Sequence, residues 1–291
     1  TGEQTSVALM AMAMDALGVP AVSLNAFQVA MHSTNKYGNA RLKRIDTERI
    51  HHELDQRKIV LVTGFQGIDH YNNYTTLGRG GSDTTAVALA AALRADACEI
   101  YTDVEGVYTA DPRKVKDARK LKEITYNEML ELATLGAGVL HNRSVELAKK
   151  HGVQLVVRSS LNTAEGTTVK EATSMEEKVV SGVAGDKNAA RIAVMGLHDE
   201  PGIAFKLFNL LARNNINVDI ILQSVGRDGT KDISFTVTED SADETVEVIK
   251  NNFPRAKYKE IDVETKVAKV SVVGAGMLAH PGVAANMFQA L

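Results

Sequence analysis

The sequence predicts two α/β architectures in succession: a unit built on a parallel sheet, then βαββαβ repeats. Up to about residue 160, short apolar strands alternate with helices, which is typical of a parallel sheet. Residues 161–178 are rich in Thr, Glu, Ser and Ala and poor in large apolar side chains, so we place a linker there. After it, two segments repeat the same pattern, with their Pro-Gly pairs 80 residues apart (281 − 201).

Hydrophobic periodicity and turn signals define the elements of the first unit. The spacing predicts a helix over residues 3–17, with Val7, Met10, Met14 and Leu17 as a buried stripe. The other predicted elements are strand 21–25, helix 47–56, strand 59–63, a helix ending near residue 94, strand 97–102, helix 126–135, helix 139–150 and strand 153–158.

The repeated segments are residues 191–211 and 269–291. Each reads as an alternating strand, a glycine, a turn, Pro-Gly and an amphipathic helix. The first copy continues through strand 218–224, a GRDGT hairpin turn, strand 231–238, helix 243–253 and strand 258–263, which completes βαββαβ. The second copy stops after its first helix. A single βα unit cannot bury its apolar face, so we expect this copy to be poorly packed.

Composition excludes several classes of protein. A formal net charge of −3 implies no basic face for nucleic acid. No apolar run is long enough to span a membrane, and the eight histidines lack metal-ligand spacing. The single Cys98 falls in a predicted buried strand and cannot form an internal disulfide, which favours a reducing cytoplasm.

Residues 75–113 contain the largest group of side chains that could bind a charged ligand. Gly80 and Gly81 allow positive φ and close approach of a ligand. Ser82 suits an N-cap, Asp83 suits the positive end of a helix dipole, and free N–H groups at a helix start attract anions. With the planar fork of Arg79, this grouping suits an amino acid. The alternative is a glycine turn with solvated charges.

A second polar loop follows the strand predicted at 97–102. Asp103 lies at the strand's carboxyl end, where α/β sheets bind ligands. Tyr108 could pack near a base and Arg113 could meet a phosphate. Asp111-Pro112 is also an ordinary turn signal, so the loop alone leaves a structural role open.

Together, RGGSDTTA, YTDVEGVYTADPR and LGAGVLH closely resemble the aspartokinase family, and the similarity runs from TGE at the start to the end of the chain. Kinases for glutamate, acetylglutamate or UMP share only parts of this combination. The resemblance implies a three-layer αβα amino acid kinase domain over residues 1–160, a linker over 161–178, and ferredoxin-like ACT domains over 179–267 and 268–291.

The implied reaction is transfer of a phosphoryl group from Mg-ATP to the β-carboxylate of L-aspartate, giving 4-phospho-L-aspartate in cytoplasmic lysine, threonine and methionine (diaminopimelate) biosynthesis. By resemblance, Arg79 takes the α-carboxylate and Asp83 the ammonium, and these are the catalytic candidates. The implied substrate residues are Glu3, Phe65, Arg79, Gly80, Gly81, Ser82 and Asp83. The implied ATP-binding residues are Thr102, Asp103, Tyr108, Thr109, Ala110, Asp111, Pro112, Arg113, Gly138 and Val139, and no protein metal site is implied.

The repeats resemble paired ACT domains, which sense amino acids in biosynthetic enzymes. Each Pro-Gly starts a helix whose free N–H groups could hold an effector carboxylate, although a plain capped turn is the alternative. The implied effector residues are Asp199, Glu200, Pro201, Gly202, Ile203, Ala204, Asn217, Val218, Asp219, Gln223, Leu278, Ala279, Ala284 and Ala285. Lysine, threonine or both are implied as effectors, and a homo-oligomer through the ACT domains is expected.

Two departures from the family pattern bear on activity. Aspartokinases begin with a Lys-x-Gly-Gly-Ser/Thr loop that supplies a phosphate-binding lysine, and this sequence lacks it. We therefore expect a fragment, lacking that segment and the C-terminal end, without catalytic power of its own. Gly138 also stands where many relatives carry lysine. The alternatives left open are another kinase of the same fold and a non-catalytic amino-acid sensor.

Overall fold

The computed structural model describes residues 1–171, 179–225 and 229–290. They form two compact units, Thr1–Ala184 with Val272–Leu291, and Gly185–Ser271. We call these the first and second unit. Among the described residues, no helix is both long enough and apolar enough to cross a lipid bilayer.

The first unit alternates helices and strands much as predicted. Its helices are α1 Gly2–Ala16, α2 Glu48–Asp55, α3 Gly81–Leu93, α4 Tyr126–Thr134 and α5 Asn142–His151. Its strands are β1 Ala21–Leu24, β2 His32–Ser33, β3 Leu42–Arg44, β4 Ile59–Val62, β5 Gln66–Ile68, β6 Tyr74–Thr76, β7 Cys98–Thr102, β8 Glu123–Thr125, β9 Leu155–Ser159 and β10 Thr167–Lys170. Helix α4 begins with a capping box between Thr125 and Glu128, as their three-residue spacing favours.

The strands that the sequence predicts in the first unit pair mainly in parallel. β1 pairs with β4 and β7 pairs with β9, both in parallel. The second sheet has the order β7-β9-β10-β8, in which β10 runs parallel to β8 and antiparallel to β9. The carboxyl end of β4 leads to Gly64–Phe65, whereas β6 and β7 lead directly into the two loops that carry the motif residues.

A further sheet, β3-β2-β5-β6, was not predicted from the sequence. Its strands contain two or three residues each, too few for alternation to stand out in a hydrophobic pattern. Antiparallel pairing of β5 with β6 brings Gln66 opposite Thr76. This pairing sets Gly64–Phe65 and the loop after β6 side by side.

The predicted stripe on α1 is wrong for two of its four residues. Val7 and Met14 are half-buried, but Met10 is 52% exposed and Leu17 is 80% exposed. The helix is apolar on all sides, so periodicity did not distinguish its packed face. The half-buried positions of α1 are Glu3, Gln4, Val7, Ala11 and Met14.

The middle of the predicted linker, residues 161–178, is part of the first unit's sheet. Thr167–Lys170 forms β10, and Thr167 and Val169 are fully buried. Alternation of Thr and Val over only four residues was masked by the polar composition around it. Residues 172–178 of the predicted linker lie outside the described residues.

The second unit is the predicted βαββαβ fold. Its elements are β11 Gly182–His198, α6 Ile203–Arg213, β12 Ile221–Val225, β13 Thr230–Val237, α7 Ala242–Asn252 and β14 Glu260–Val273, with the first residues of β11 and the last of β14 in the first unit. The sheet order is β12-β13-β11-β14. Ile192, Leu207 and Phe235 are buried in its core. Most of the predicted GRDGT turn lies outside the described residues.

The second copy of the repeat has no separate first strand. Residues 269–273 continue β14 without a break, so the expected boundary at residue 268 falls inside a strand. Val273 joins the core of the first unit. The following helix, α8 Val283–Ala290, has no buried residue, as expected for a copy that ends after one helix.

Candidate functional site

The glycine motif forms a tight turn into α3. Gly80 has φ of +68° and is the N-cap, so the helix begins at Gly81. The N-cap role predicted for Ser82 is therefore wrong, because left-handed Gly80 turns the chain into the helix two residues earlier. Ser82 is instead exposed in the first turn of α3.

A cavity of about 310 Å³ lies between α1, β4 and the start of α3. Two of the predicted substrate residues, Glu3 and Ser82, line it. Its other lining residues are Ser6, Val7, Val60, Val62, Gly64, Thr85, Ala86 and Leu89. One carboxylate and several hydroxyls on apolar walls suit a small polar ligand.

Phe65 follows Gly64 of this cavity and has a strained backbone. Its φ is +67°, which is uncommon for a residue that carries a side chain. Its N–H donates to Thr85 Oγ1 at 3.1 Å and its carbonyl accepts from the Leu77 N–H at 2.9 Å. Glycine suits position 81, since a Cβ there would lie 2.9 Å from both the Phe65 ring and the Leu77 Cβ.

Asp83 contacts the start of α5. Burial raises the pKa of the Asp83 carboxyl, while a hydrogen bond from the backbone N–H of His141 opposes that rise. The His141 ring packs against Gly80 so closely that a Cβ there would collide with it. Burial in turn lowers the pKa of the His141 imidazole, helped by the nearby Arg143. Arg79 is exposed.

The second polar loop follows β7 as predicted. Thr102 Oγ1 donates to Asp103 Oδ1 at 3.2 Å, and Asp103 is exposed. Arg113 donates from Nε at 3.0 Å and from Nη2 at 3.2 Å to the two oxygens of Asp111. That pairing raises the pKa of Arg113 and lowers the pKa of Asp111. The Arg113 side chain is 83% exposed, so its fork is held in place at the surface.

Sequence reasoning missed the residue that anchors this loop. Thr167 of β10 accepts from the Val107 N–H at 2.8 Å and donates to the Leu121 carbonyl at 2.6 Å. Gly106 lies against it. No sequence signal marked Thr167, because it falls among the threonines of the predicted linker. The predicted residues Tyr108, Thr109 and Ala110 follow this anchor and are half-buried.

Gly138 and Val139 do not begin a helix, since α5 starts at Asn142 with His141 as its N-cap. The two residues belong to the turn that leads to it. Gly138 is exposed and nothing lies within 4 Å of the position its Cβ would take. A side chain at this position would meet open space.

Nine of the fourteen predicted effector residues fall at two ends of the second unit's sheet, whereas Gln223 lies within β12 and the last four belong to the first unit. Pairing of Ala190 with Val237 and of His198 with Thr230 places Asn217–Asp219 at one end and Asp199–Gly202 at the other. The eight-residue spacing implies a separation of about 25 Å. One copy of this unit therefore does not bring the two groups to a single ligand.

Lysines already pair with the acidic residues at both ends. Asp199 pairs with Lys231 at 2.7 Å, and Glu200 with Lys257 at 2.8 Å. These contacts lower the pKa of Glu200. Asp219 pairs with Lys269. Of the remaining predicted effector residues, Ile203 is buried, Gln223, Ala284 and Ala285 are exposed, and the side chains of Leu278 and Ala279 lie outside the described part of the chain.

Comparison with known proteins agrees with this division. A sequence profile of the amino acid kinase family matches residues 1–159, and an ACT domain profile matches residues 192–253. The aspartokinase of Bacillus sp. (strain MGA3) is 52% identical over 292 aligned residues, covering 100% of this chain and 71% of the relative. The chain belongs to the aspartokinase family. Aspartokinase 2 of Bacillus subtilis (strain 168) is 50% identical with the same coverage.

Solved aspartokinases have the same fold. The structure of E. coli aspartokinase III with aspartate and ADP (R-state) has a TM-score of 0.83 and 29% identity, covering 99% of this chain. The T-state structure with lysine and aspartate has a TM-score of 0.75 and 30% identity, covering 94% of this chain. The chain spans 65% and 61% of those two chains.

Proposed function

We propose that this chain is the nucleotide- and aspartate-binding part of an aspartate kinase that transfers the γ-phosphoryl group of ATP to the β-carboxylate of L-aspartate. The product is 4-phospho-L-aspartate. The observation that carries the proposal is the likeness, over 99% of the chain, to an aspartokinase solved with aspartate and ADP. The glycine turn, Arg79 and the cavity beside α3 supply chemistry that suits this assignment.

The nucleophile in such a reaction needs no base from the protein. A side-chain carboxylate has a reference pKa of about 3.9 and is ionised at neutral pH. The obstacle is the approach of two anions, so the protein must position them and neutralise their charge. Arg79 is a suitable partner for the α-carboxylate, Asp83 for the ammonium, and the free N–H groups at the start of α3 for an anionic oxygen.

The loop after β7 suits a nucleotide. Arg113, held by Asp111, is directed into solvent where a phosphate would arrive, and Tyr108 offers a ring face for the base. Within the described residues, no group of three or more His, Cys, Asp or Glu side chains is arranged to hold a metal ion. Mg²⁺ commonly binds through phosphates, water and one or two carboxylates, and Asp103 is an exposed carboxylate beside this loop. Bound with ATP, Mg²⁺ would neutralise phosphate charge.

We propose that the second unit binds the amino-acid effector, lysine or threonine. A cavity of about 240 Å³ in this unit is lined by Asn217, Asp219 and Lys269 among others, which offers both signs of charge to a zwitterion. The other group, Asp199–Gly202, is at the opposite end of the sheet. A ligand could contact both groups only where two ACT units meet, so we propose a homo-oligomer. Exposed Ile221 and Leu222 on edge strand β12 favour such an association.

Trapping of the acyl phosphate tests the proposed function. The full-length protein is incubated with Mg-ATP, hydroxylamine and L-aspartate, with L-glutamate as the control. We expect hydroxamate only with aspartate, and inhibition by lysine or threonine identifies the effector. Product with glutamate or UMP instead would favour another kinase of this fold, and effector binding without ATP binding would favour a sensor.

A further inference from the structure

We infer that Arg143 is a positioning residue for phosphoryl transfer. From helix α5, it holds the loop that bears Arg79 and Asp83. We call Gly78–Asp83 the substrate loop. The inference rests on the proposed function for its kinetic consequences. That Arg143 fixes the position of the substrate loop is inferred from geometry alone.

The guanidinium of Arg143 bridges two segments that are distant in sequence. Nη1 donates to the Leu77 carbonyl at 2.6 Å and to Asn39 Oδ1 at 3.3 Å. Nη2 donates to the Ala40 carbonyl at 2.8 Å. A planar fork with several donors makes these bonds at once, whereas a lysine ammonium on a flexible stem is not organised for such a bridge.

The two bridged segments enclose the start of the substrate loop. Leu77 is fully buried and directly precedes Gly78. The Ala40 N–H donates to the Thr76 carbonyl at 2.9 Å, and a Cβ on Gly78 would lie 2.8 Å from the Gly38 carbonyl. The residue 38–40 segment therefore covers the loop's entry, and Arg143 fastens both together.

The same end of α5 contacts the loop twice more. The His141 ring packs on Gly80, and the His141 N–H binds the Asp83 carboxylate. The Arg143 N–H donates to His141 Nδ1 at 3.3 Å, which ties the ring to the same turn. The start of α5 thus contacts the substrate loop at three places: just before it at Leu77, within it at Gly80 and at its end at Asp83.

The charge of Arg143 has no carboxylate partner among the described residues within 4 Å, since its acceptors are two carbonyls and an amide oxygen. Burial lowers the pKa of Arg143, Arg41 nearby lowers it further and the more distant carboxylate of Glu146 opposes this, but an arginine stays ionised. A positive charge beside a loop that would bind the carboxylates of aspartate adds to the attraction for them.

The test compares Arg143→Met, which removes fork and charge, with Arg143→Lys, which keeps the charge. In the full-length protein we expect Arg143→Met to raise the aspartate KM about tenfold or more, because misplacement of binding groups is costly. The KM for ATP should change less than about twofold, because the nucleotide loop is a separate segment. Arg143→Lys should recover only part of the aspartate KM.

Lys149→Met is the matched control. Lys149 is on the exposed side of the same helix and donates to Asn127 Oδ1 at 2.7 Å, away from the loop. It should leave both KM values unchanged. Equal increases of both KM values in Arg143→Met, or a KM fully restored by lysine, would overturn the positioning role.

Hydrogen exchange separates this inference from the proposed function. The Gly81 N–H bonds to the Gly78 carbonyl at 3.0 Å and the Thr84 N–H bonds to the Gly80 carbonyl at 3.2 Å. We expect both amides to exchange faster in Arg143→Met and at the normal rate in Lys149→Met, whether or not aspartate is the substrate. Unchanged exchange would refute the inference, whereas absence of acyl phosphate from the wild type would refute only the aspartate assignment.

Discussion

At the scale of single residues, the candidate site contains a carboxylate in a partly buried position and a non-glycine residue with positive φ. Asp83 is a half-buried carboxylate whose pKa is raised by burial, and Phe65 keeps a left-handed backbone. Such arrangements cost stability and are common where a ligand later supplies the missing partner. For Asp83, the partner would be the substrate ammonium.

Replacement of Asp83 by Asn should therefore separate stability from binding. A carboxyl whose pKa is raised in the folded state destabilises the fold once pH exceeds that pKa, and it has no such effect below the pKa of the unfolded chain. Asp83→Asn should raise the melting temperature at neutral pH, with the gain vanishing toward pH ~4. The aspartate KM should rise at least about tenfold, because a charge-assisted bond is lost.

Calorimetric scans at several pH values and steady-state kinetics measure the two effects. Asp96→Asn serves as the control, since Asp96 is exposed and lies past the other end of α3. A melting temperature of Asp83→Asn that falls at neutral pH would contradict the electrostatic account.

Gly138 offers a gain-of-contact test. The position has open space around it and no positive φ, so lysine should fit without strain. Gly138→Lys should lower the KM for ATP several-fold by adding a cation near the proposed phosphate site, with little change in stability. Gly138→Gln, of similar length and no charge, is the control. A lowered KM in both variants would show that charge is not the cause.

At the scale of elements, glycines at helix ends decide where helices begin and end. Gly80 starts α3 and Gly152 ends α5, both with positive φ, but only Gly80 is crowded by another side chain. The two positions therefore separate backbone strain from steric collision.

Alanine at these positions should have different consequences. Gly152→Ala should cost about 1–2 kcal/mol of backbone strain and leave activity intact. Gly80→Ala should add a collision with the His141 ring and displace the substrate loop, lowering kcat/KM for aspartate by about a hundredfold. Urea unfolding gives the stabilities and initial rates give the kinetics. Equal kinetic losses in the two variants would argue against a specific role of the Gly80 turn.

At the scale of the whole molecule, each unit has its own core. Leu155 and Met129 are buried in the first unit, and Leu207 and Phe235 in the second. Cys98, in the first unit, is 7% exposed, and burial together with Asp83 raises the pKa of its thiol to about 11. Its reaction with a thiol reagent should therefore report unfolding of the first unit.

Core truncations should act on one unit at a time. Leu207→Ala should destabilise the second unit by about 2–5 kcal/mol and leave the urea midpoint of Cys98 labelling unchanged. Leu155→Ala should lower that midpoint. Circular dichroism measured alongside labelling reports both units together. If either variant shifted both signals equally, the two units would unfold as one.

The sequence alone determined the longer helices and strands, the two architectures and the family, because periodicity, turn residues and a long motif are local signals. It also named Arg79, Asp83 and Arg113 before their surroundings were known. Tertiary structure decided what these signals do not encode: that Thr167 anchors the loop after β7, that Arg143 bridges Leu77 and Ala40, and that most of the predicted effector residues lie at two ends of one sheet. These are spatial relations between residues distant in the chain. They depend on how strands are ordered and registered, which no local pattern specifies.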